Sequence, residues 1–392
     1  MDSPFEAELE ELAGKSLLRR MREIEGREGP LIDYHGEELV NFSSNDYLGL
    51  SGEAFLREAA RAAITEYGVG SGASRLVCGT FTPHLLFEER LAAFKQTEAA
   101  IAFSSGYAAA LGALTALAGR QDVIILDKLA HASLVDGARL SGATLRVFPH
   151  NHLEKLESHL QWARREKPEA RIIVVTESVF SMDGDRAPLA EIVELKERHG
   201  ALLLLDEAHA IGVLGAHGRG LVERLGLEGR VDIQMGTMSK ALGVSGGYLC
   251  GSRALVDLLV NRARSLIYST APPPALAMAA LAAIDFLESP DGAARRKLLW
   301  DNLKILAAGL PPGLTPPRLQ SAIVPVTLGE ETAALDAAKF LYARGLYVPA
   351  IRYPTVARGS ARLRVTLSAL HTPEQIVTLT ESLWKLTDRL EK

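Results

Sequence analysis

The chain has 392 residues, 47% of them hydrophobic and 23% charged, with a formal net charge of −5. That composition suits a globular protein long enough for one large domain and a smaller one. The acidic balance argues against an extended nucleic-acid surface, and no apolar run reaches the roughly 18 residues that span a bilayer. Cys78 and Cys250 lack metal-site spacing and cannot staple a chain this long. A reducing cytoplasm and no metal centre are therefore expected. The acidic N-terminus "MDSPFEAELEELAGKSLLRR" lacks the apolar core of a signal peptide.

Residues 5–25 read as an amphipathic helix, with Phe5, Leu9, Leu12, Leu17, Leu18 and Met21 near helical spacing. "LIDYHGEELVNF" reads as a hairpin turning at His35-Gly36. From about residue 50, "AAIAF", "DVIILD", "TLRVF", "RIIVVTE", "ALLLLDEAH" and "YLCGS" are candidate buried strands. Helices such as 107–118 and 188–199 lie between them. Near-continuous apolar strands separated by helices predict a largely parallel sheet covered on both faces. A long Ala/Leu helix at 275–288 is broken by "ESPDG", and "LPPGLTPP" interrupts the chain again. "SAIVPVTL", a helix at 331–344, "LYVPAI", "RLRVTLS" and a last helix predict a small α+β domain. Thr372, Pro373 and Gln375 supply the capping box of that last helix. The expected organisation is an arm over 1–49, a large α/β domain over 50–288 and a small domain over 289–392.

In open α/β sheets ligands sit beyond the carboxyl ends of the strands. After "AAIAF" come Ser105, Gly106 and Tyr107, a turn opening a helix whose free N–H groups suit a phosphate. His131 follows "DVIILD", Ser181 follows "RIIVVTE", and Asp206 and His209 close "ALLLLDEAH". Lys240 stands in "GTMSKALGVSGG", between apolar runs. Burial there favours a neutral amine, a nucleophile suited to forming a Schiff base. One chemistry uses the whole set. Pyridoxal phosphate needs a lysine for its aldehyde, donors for its phosphate and a carboxylate facing its ring nitrogen. Asp206 fits the carboxylate, His209 can reach the phenolic oxygen, and His131 can lie on the ring face. "GVGSGASRLVCGT" lacks the Gly-Lys-Ser/Thr ending of a nucleotide P-loop and follows no convincing strand.

"NFSSNDYLGLS", "SGYAAALGAL", "DKLAHASLVDGARLSGA", "ESVFSMDGDRAPL", "LLDEAHAIGVLG", "GTMSKALGVSGG" and "LIYST" together resemble the α-oxoamine synthases over nearly the whole chain. That resemblance implies an α/β protein of aminotransferase fold type I. It would have a mostly parallel seven-stranded sheet flanked by helices, a small C-terminal α+β domain and an N-terminal helical arm. It also implies pyridoxal 5'-phosphate as cofactor and condensation of an amino acid with an acyl-CoA, releasing CoA and carbon dioxide. Lys240, His131 and Asp206 would be catalytic. Gly106, Tyr107, Ser181, His209 and Thr237 would join them in holding the cofactor, with Thr270 reaching the neighbour's phosphate in a homodimer whose sites lie at the subunit interface. Arg19, Asn45, Arg352, Thr355 and Arg364 would bind substrate, Arg364 through the amino-acid carboxylate. Arg20 and Arg22 are alternatives to Arg19. Within the family, "AIRYPTVARGSARLRVTLSALHT" is most similar to members that join L-alanine to pimeloyl-CoA or a pimeloyl carrier in biotin biosynthesis. "RLVCGT" resembles members using glycine and acetyl-CoA, and "YPTV" those making 5-aminolevulinate, so both stay open as alternatives.

Overall fold

The computed structural model describes residues 4–313 and 318–390 and divides the chain into two units. One unit comprises the chain up to Asn45, Met182–Gly184 and the chain from Leu298; the other comprises Asp46–Ser181 and Asp185–Lys297.

The first unit opens with a helix over Pro4–Gly14, shorter than the 5–25 expected. Ser16 takes a left-handed conformation (φ 56°). Its N–H returns to the Ala13 carbonyl at 3.0 Å and that of Leu17 to Leu12 at 2.8 Å. That pair of bonds is a helix-terminating motif, which outweighs the apolar spacing continuing through Leu17, Leu18 and Met21. Arg19 therefore lies beyond the helix. Strands β1 (Gly26–Glu28), β2 (Leu31–Tyr34) and β3 (Glu37–Asn41) follow, with β2 and β3 forming the expected hairpin. His35 and Gly36 both have positive φ, as a tight two-residue turn requires.

Strands β4 (Ala99–Phe103), β5 (Val123–Asp127), β6 (Thr144–Phe148), β7 (Ile172–Glu177), β8 (Leu202–Asp206), β9 (Ile233–Thr237) and β10 (Gly247–Gly251) build the sheet of the second unit. Their order is β4-β10-β9-β8-β7-β5-β6. Only β10 runs against its neighbours. Of the other six, β4, β5, β7 and β9 are buried along their whole length and β8 at all but its first residue, Leu202. The exception, β6, was expected to be buried like the rest. It is one of the two edge strands, and only Phe148 on it is buried, whereas β4 at the other edge is covered by helices. Helices Gly106–Leu117 and Ala132–Ser141 pack on the sheet with Ala109, Ala113, Leu114, Leu134 and Ala138 fully buried. The small alanines let them approach each other and the strands closely.

Back in the first unit, β11 (Ile323–Gly329), β13 (Ala350–Ile351) and β14 (Ala361–Thr366) form an antiparallel sheet in the order β11-β14-β13. "LYVPAI" was expected as one strand but is two. Strand β12 (Leu346–Tyr347) joins β3 in parallel, whereas β13 joins β14. Pro349 between them has no N–H to give a ladder, so the chain changes sheets there. The "LPPGLTPP" interruption falls on 310–317, of which 314–317 lie outside the described residues. Thr372 and Gln375 make the reciprocal capping bonds expected, at 3.0 and 3.3 Å, on the helix Pro373–Leu390.

His371 ties this unit together. Its ring stacks on Phe42 at 4.2 Å, Nδ1 accepts the Ser368 N–H at 2.8 Å, and Nε2 lies 3.1 Å from the Asn41 carbonyl. Those partners require the neutral tautomer with its proton on Nε2. Burial pushes its pKa down to about 4. The unfolded chain therefore takes up this proton first as pH falls below the ordinary histidine value. Stability from this group is complete above pH 6.5 and is lost between there and pH 4, about 3 kcal/mol in all. Denaturant unfolding across that pH range should show the loss in the native chain, and His371→Gln should flatten that part of the slope.

Candidate active site

Because β4, β5, β7, β8 and β9 run parallel, their carboxyl ends share one edge of the large sheet. A cleft of about 260 Å³ opens there. Ser105, Gly106 and Tyr107 line it from the start of a helix, His131 and Ser133 from the loop after β5, Glu177 from the end of β7, Asp206 and His209 from β8 and its turn, and Thr237 and Lys240 from β9 and its loop. Seven of the residues expected at the cofactor are thus brought together: Gly106, Tyr107, His131, Asp206, His209, Thr237 and Lys240. Ser181 and Thr270 do not line this cleft. Thr270 is exposed, beside an isolated bridge to Ser74.

The charge pattern is set by burial. Asp206 is 5% exposed, and its Oδ1 accepts the Ala208 N–H at 2.8 Å. Burial raises its carboxyl above the usual range, opposed by the Lys240 charge and that hydrogen bond. Lys240 is half-buried. His131 caps the helix Ala132–Ser141, its Nδ1 accepting the Ser133 N–H at 3.2 Å and standing 2.8 Å from Ser133 Oγ. Its ring is held below the ordinary histidine range, chiefly by removal from water; Asp206 opposes this and Lys240 reinforces it. A neutral ring whose Nδ1 accepts must carry its proton on Nε2, so His131 is a donor there. His209 Nδ1 lies 2.6 Å from the hydroxyl of buried Tyr47.

Close backbone approach shapes the rest of the cleft. Ser105 Oγ accepts the Ala108 N–H at 3.0 Å. The Gly106 and Tyr107 N–H groups, one residue earlier in the first turn, have no intrahelical acceptor and can meet an anion. A Cβ on Gly106 would stand 3.3 Å from Thr237 Cβ, and one on Gly247 would overlap the Ser105 carbonyl and the Gly106 nitrogen. Thr237 Oγ1 donates to the Gly246 carbonyl at 2.6 Å, holding the glycine-rich loop against the end of β9.

Glu177, Ser133 and Tyr47 were not singled out from the sequence. Glu177 does end a recognised strand, "RIIVVTE", and that strand-end position was its signal. Ser133 and Tyr47 look like ordinary polar residues until the fold brings them to His131 and His209.

The residues expected at substrate lie in the other unit. Both terminal guanidinium nitrogens of Arg364 lie 3.1 Å from Asn45 Oδ1. Arg19 donates to Thr355 Oγ1 at 3.0 Å and to the Tyr353 carbonyl at 3.3 Å, and Arg352 donates to the Ser16 carbonyl. Arg19, Arg20, Arg22, Arg352 and Thr355 line a cavity of about 790 Å³. The Arg352 guanidinium pKa is lowered by burial and by Arg19 and Arg22 nearby, as in a cluster awaiting an anion.

A family model described as aminotransferase class I and II matches residues 37–383. An 8-amino-7-oxononanoate synthase of Anaeromyxobacter sp. (strain K) is 48% identical over 371 residues, covering 94% of this chain and 92% of the relative. Among solved structures, a serine palmitoyltransferase from S. paucimobilis with bound PLP–myriocin aldimine matches with a TM-score of 0.93 at 33% identity, covering 99% of this chain and 97% of the other. An 8-amino-7-oxononanoate synthase from Francisella tularensis matches at 0.75 and 30%, covering 90% and 99%. The type I fold with its mostly parallel seven-stranded sheet, expected from the sequence, is the fold of these proteins.

The glycine contacts yield a direct test. Gly247→Ala must push the Ser105–Gly106 turn away from β10, at a cost of about 1–3 kcal/mol. Its melting temperature should fall, and anion binding at this helix start, read by thermal stabilisation with phosphate, should weaken.

Proposed function

The chain belongs to the aminotransferase class I and II family, and on that premise we propose that it condenses L-alanine with pimeloyl-CoA or a pimeloyl carrier. The products are 8-amino-7-oxononanoate, carbon dioxide and the free thiol, a step of biotin biosynthesis. The observation that carries the reading is the single cleft where Lys240, Asp206 and His131 meet the start of the helix Gly106–Leu117. Relatives bearing the matching name support the substrate assignment.

Pyridoxal phosphate fits these residues. The Gly106 and Tyr107 N–H groups would take its phosphate, Lys240 its aldehyde carbon, and buried Asp206 a cationic ring nitrogen. When bound, the cofactor supplies an electron sink for the pair left when a bond to the amino acid's Cα breaks. The chain's own groups do the remaining work. Asp206 would keep a proton on the ring nitrogen, because a buried carboxylate is stabilised by a cation against it. Lys240 Nζ would take the proton from the amino acid's Cα and later return one. Neutral His131 offers its Nε2–H. Arg364, with its planar fork, is assigned to the amino-acid carboxylate. Arg19, Arg352 and Thr355 are assigned to the acyl donor, whose free carboxylate suits a cluster of arginines.

The reading includes a homodimer. Val69, Val77 and Tyr268 of the larger unit are each more than two-thirds exposed, and apolar side chains so presented support burial against a second copy. Thr270 is then assigned to the neighbour's cofactor. Among the described residues no helix is long and apolar enough to cross a membrane. The proposed location is the cytoplasm, where the unpaired Cys78 and Cys250 stay reduced.

A CoA-release assay should give the highest kcat/KM with L-alanine and pimeloyl-CoA. Faster turnover of serine with palmitoyl-CoA, or of glycine with acetyl-CoA, would replace this substrate assignment. Lys240→Ala should lower turnover on the order of a thousandfold and leave no lysine of the cleft for borohydride to label. Arg364→Lys should raise the KM for alanine about tenfold, since an ammonium lacks the guanidinium fork.

A further inference from the structure

We infer that Glu177 is a positioning residue of the cofactor cleft, its carboxyl group tethering the His131 loop, through the His131 backbone N–H, to the end of β7 beside Asp206. The inference rests on the proposed function for the identity of the cofactor. The tether itself is a feature of the chain alone.

Glu177 is the last residue of β7, is 2% exposed and pairs in register with Asp206 on β8. In-register neighbours on parallel strands point to the same face, so two carboxyl groups stand side by side at the floor of the cleft. The proposed chemistry uses only Asp206. A second buried carboxyl there is costly without a task. Its visible task is mechanical: Oε1 accepts the His131 N–H at 2.6 Å. With Nδ1 held by Ser133, His131 is gripped at its backbone and at its ring.

The groups facing Glu177 are Asp206, Lys240, His131 and Asp127. Burial and the neighbouring Asp206 push its carboxyl well above the ordinary range, against the pull of Lys240 and the His131 N–H. Its surroundings therefore favour the protonated form more than water does. A neutral carboxyl still accepts an N–H through its carbonyl oxygen. It also leaves Asp206 as the one anion of the pair, which a cationic ring nitrogen requires. A glutamine meets both conditions: it is neutral, it is of the same length, and it offers a carbonyl oxygen. An alanine meets only the first, because it leaves the His131 N–H without its acceptor.

The experiment compares the native chain with Glu177→Gln and Glu177→Ala. Hydrogen exchange of the His131 amide is followed in the cofactor-free proteins, and the pyridoxal phosphate dissociation constant by titration. The Gln variant should stay within about twofold of native in both. The Ala variant should exchange at His131 and release cofactor about tenfold more readily, the size of one lost buried hydrogen bond. The tether is overturned if Ala leaves both readouts unchanged, or if Gln is as damaging as Ala. Should the Ala chain not fold, an unprotected His131 amide in the native protein, or a damaged Gln variant, overturns it equally. A native chain that binds no pyridoxal phosphate would count against the proposed function, while the exchange data would still decide the tether.

Discussion

Two carboxyl groups in register at the buried edge of one sheet are the constraint around which the cleft is organised. Glu177 and Asp206 cannot both be charged there cheaply, since each anion taken out of water costs several kcal/mol unless compensated. The surroundings answer that cost group by group. Asp206 receives the Ala208 N–H and the field of Lys240, while Glu177 receives the His131 N–H and has its carboxyl pushed toward the protonated form. Backbone groups take part as well: the Asp206 carbonyl accepts both the N–H and the hydroxyl of Ser178, locking β8 to the turn after β7. The His131 loop and the ends of β7 and β8 are thereby fixed relative to one another. Such preorganisation is what a site needs to stabilise charge developing during a reaction.

The same accounting recurs away from the cleft, with different outcomes for the same residue type. His150 lies between Asp127 at 3.0 Å and Asp185 at 2.8 Å; the two carboxylates overcome its burial and push its pKa up to about 10. His371, among backbone groups and Phe42, is pushed the other way and stays neutral. Lys95 and Glu207, fully buried, form an ion pair, and Glu207 also takes the Leu221 and Val222 N–H groups. At His150 the charged partners outweigh burial, and at His371 burial wins.

The cleft explains a cofactor chemistry shared by many relatives, and it does not by itself choose a substrate. A fold close to that of serine palmitoyltransferase can serve an enzyme of another specificity, because specificity belongs to the groups that meet the substrate. In this chain the candidates are the arginines of the smaller unit. Arg364 with Asn45, and the cluster of Arg19, Arg20, Arg22 and Arg352, make that unit rich in anion-binding groups.

The sequence alone determined the order of the elements and which residues stand at strand ends. Near-continuous Ile/Val/Leu runs read as buried strands whose following residues emerge at the sheet edge, so Asp206 and His131 were legible, while Lys240, after the less apolar "IQMGT", was legible from its glycine-rich setting. The capping box at Thr372 was legible for a similar reason, since its bonds span three residues. What needed the tertiary structure were features set by distant neighbours. The N-terminal helix ends at Gly14 because a left-handed Ser16 closes it, although the apolar spacing runs on. Strand β6 is mostly unburied while β4, at the other edge of the sheet, is buried under more helices, a fact of the surroundings rather than of "TLRVF" itself. Glu177 gains its meaning from being placed in register with Asp206, 29 positions later in the chain, and against the His131 N–H, 46 positions earlier. Local pattern encodes what a residue is and which element it joins. Burial and pairing across the chain decide its charge, and with it what the residue can do.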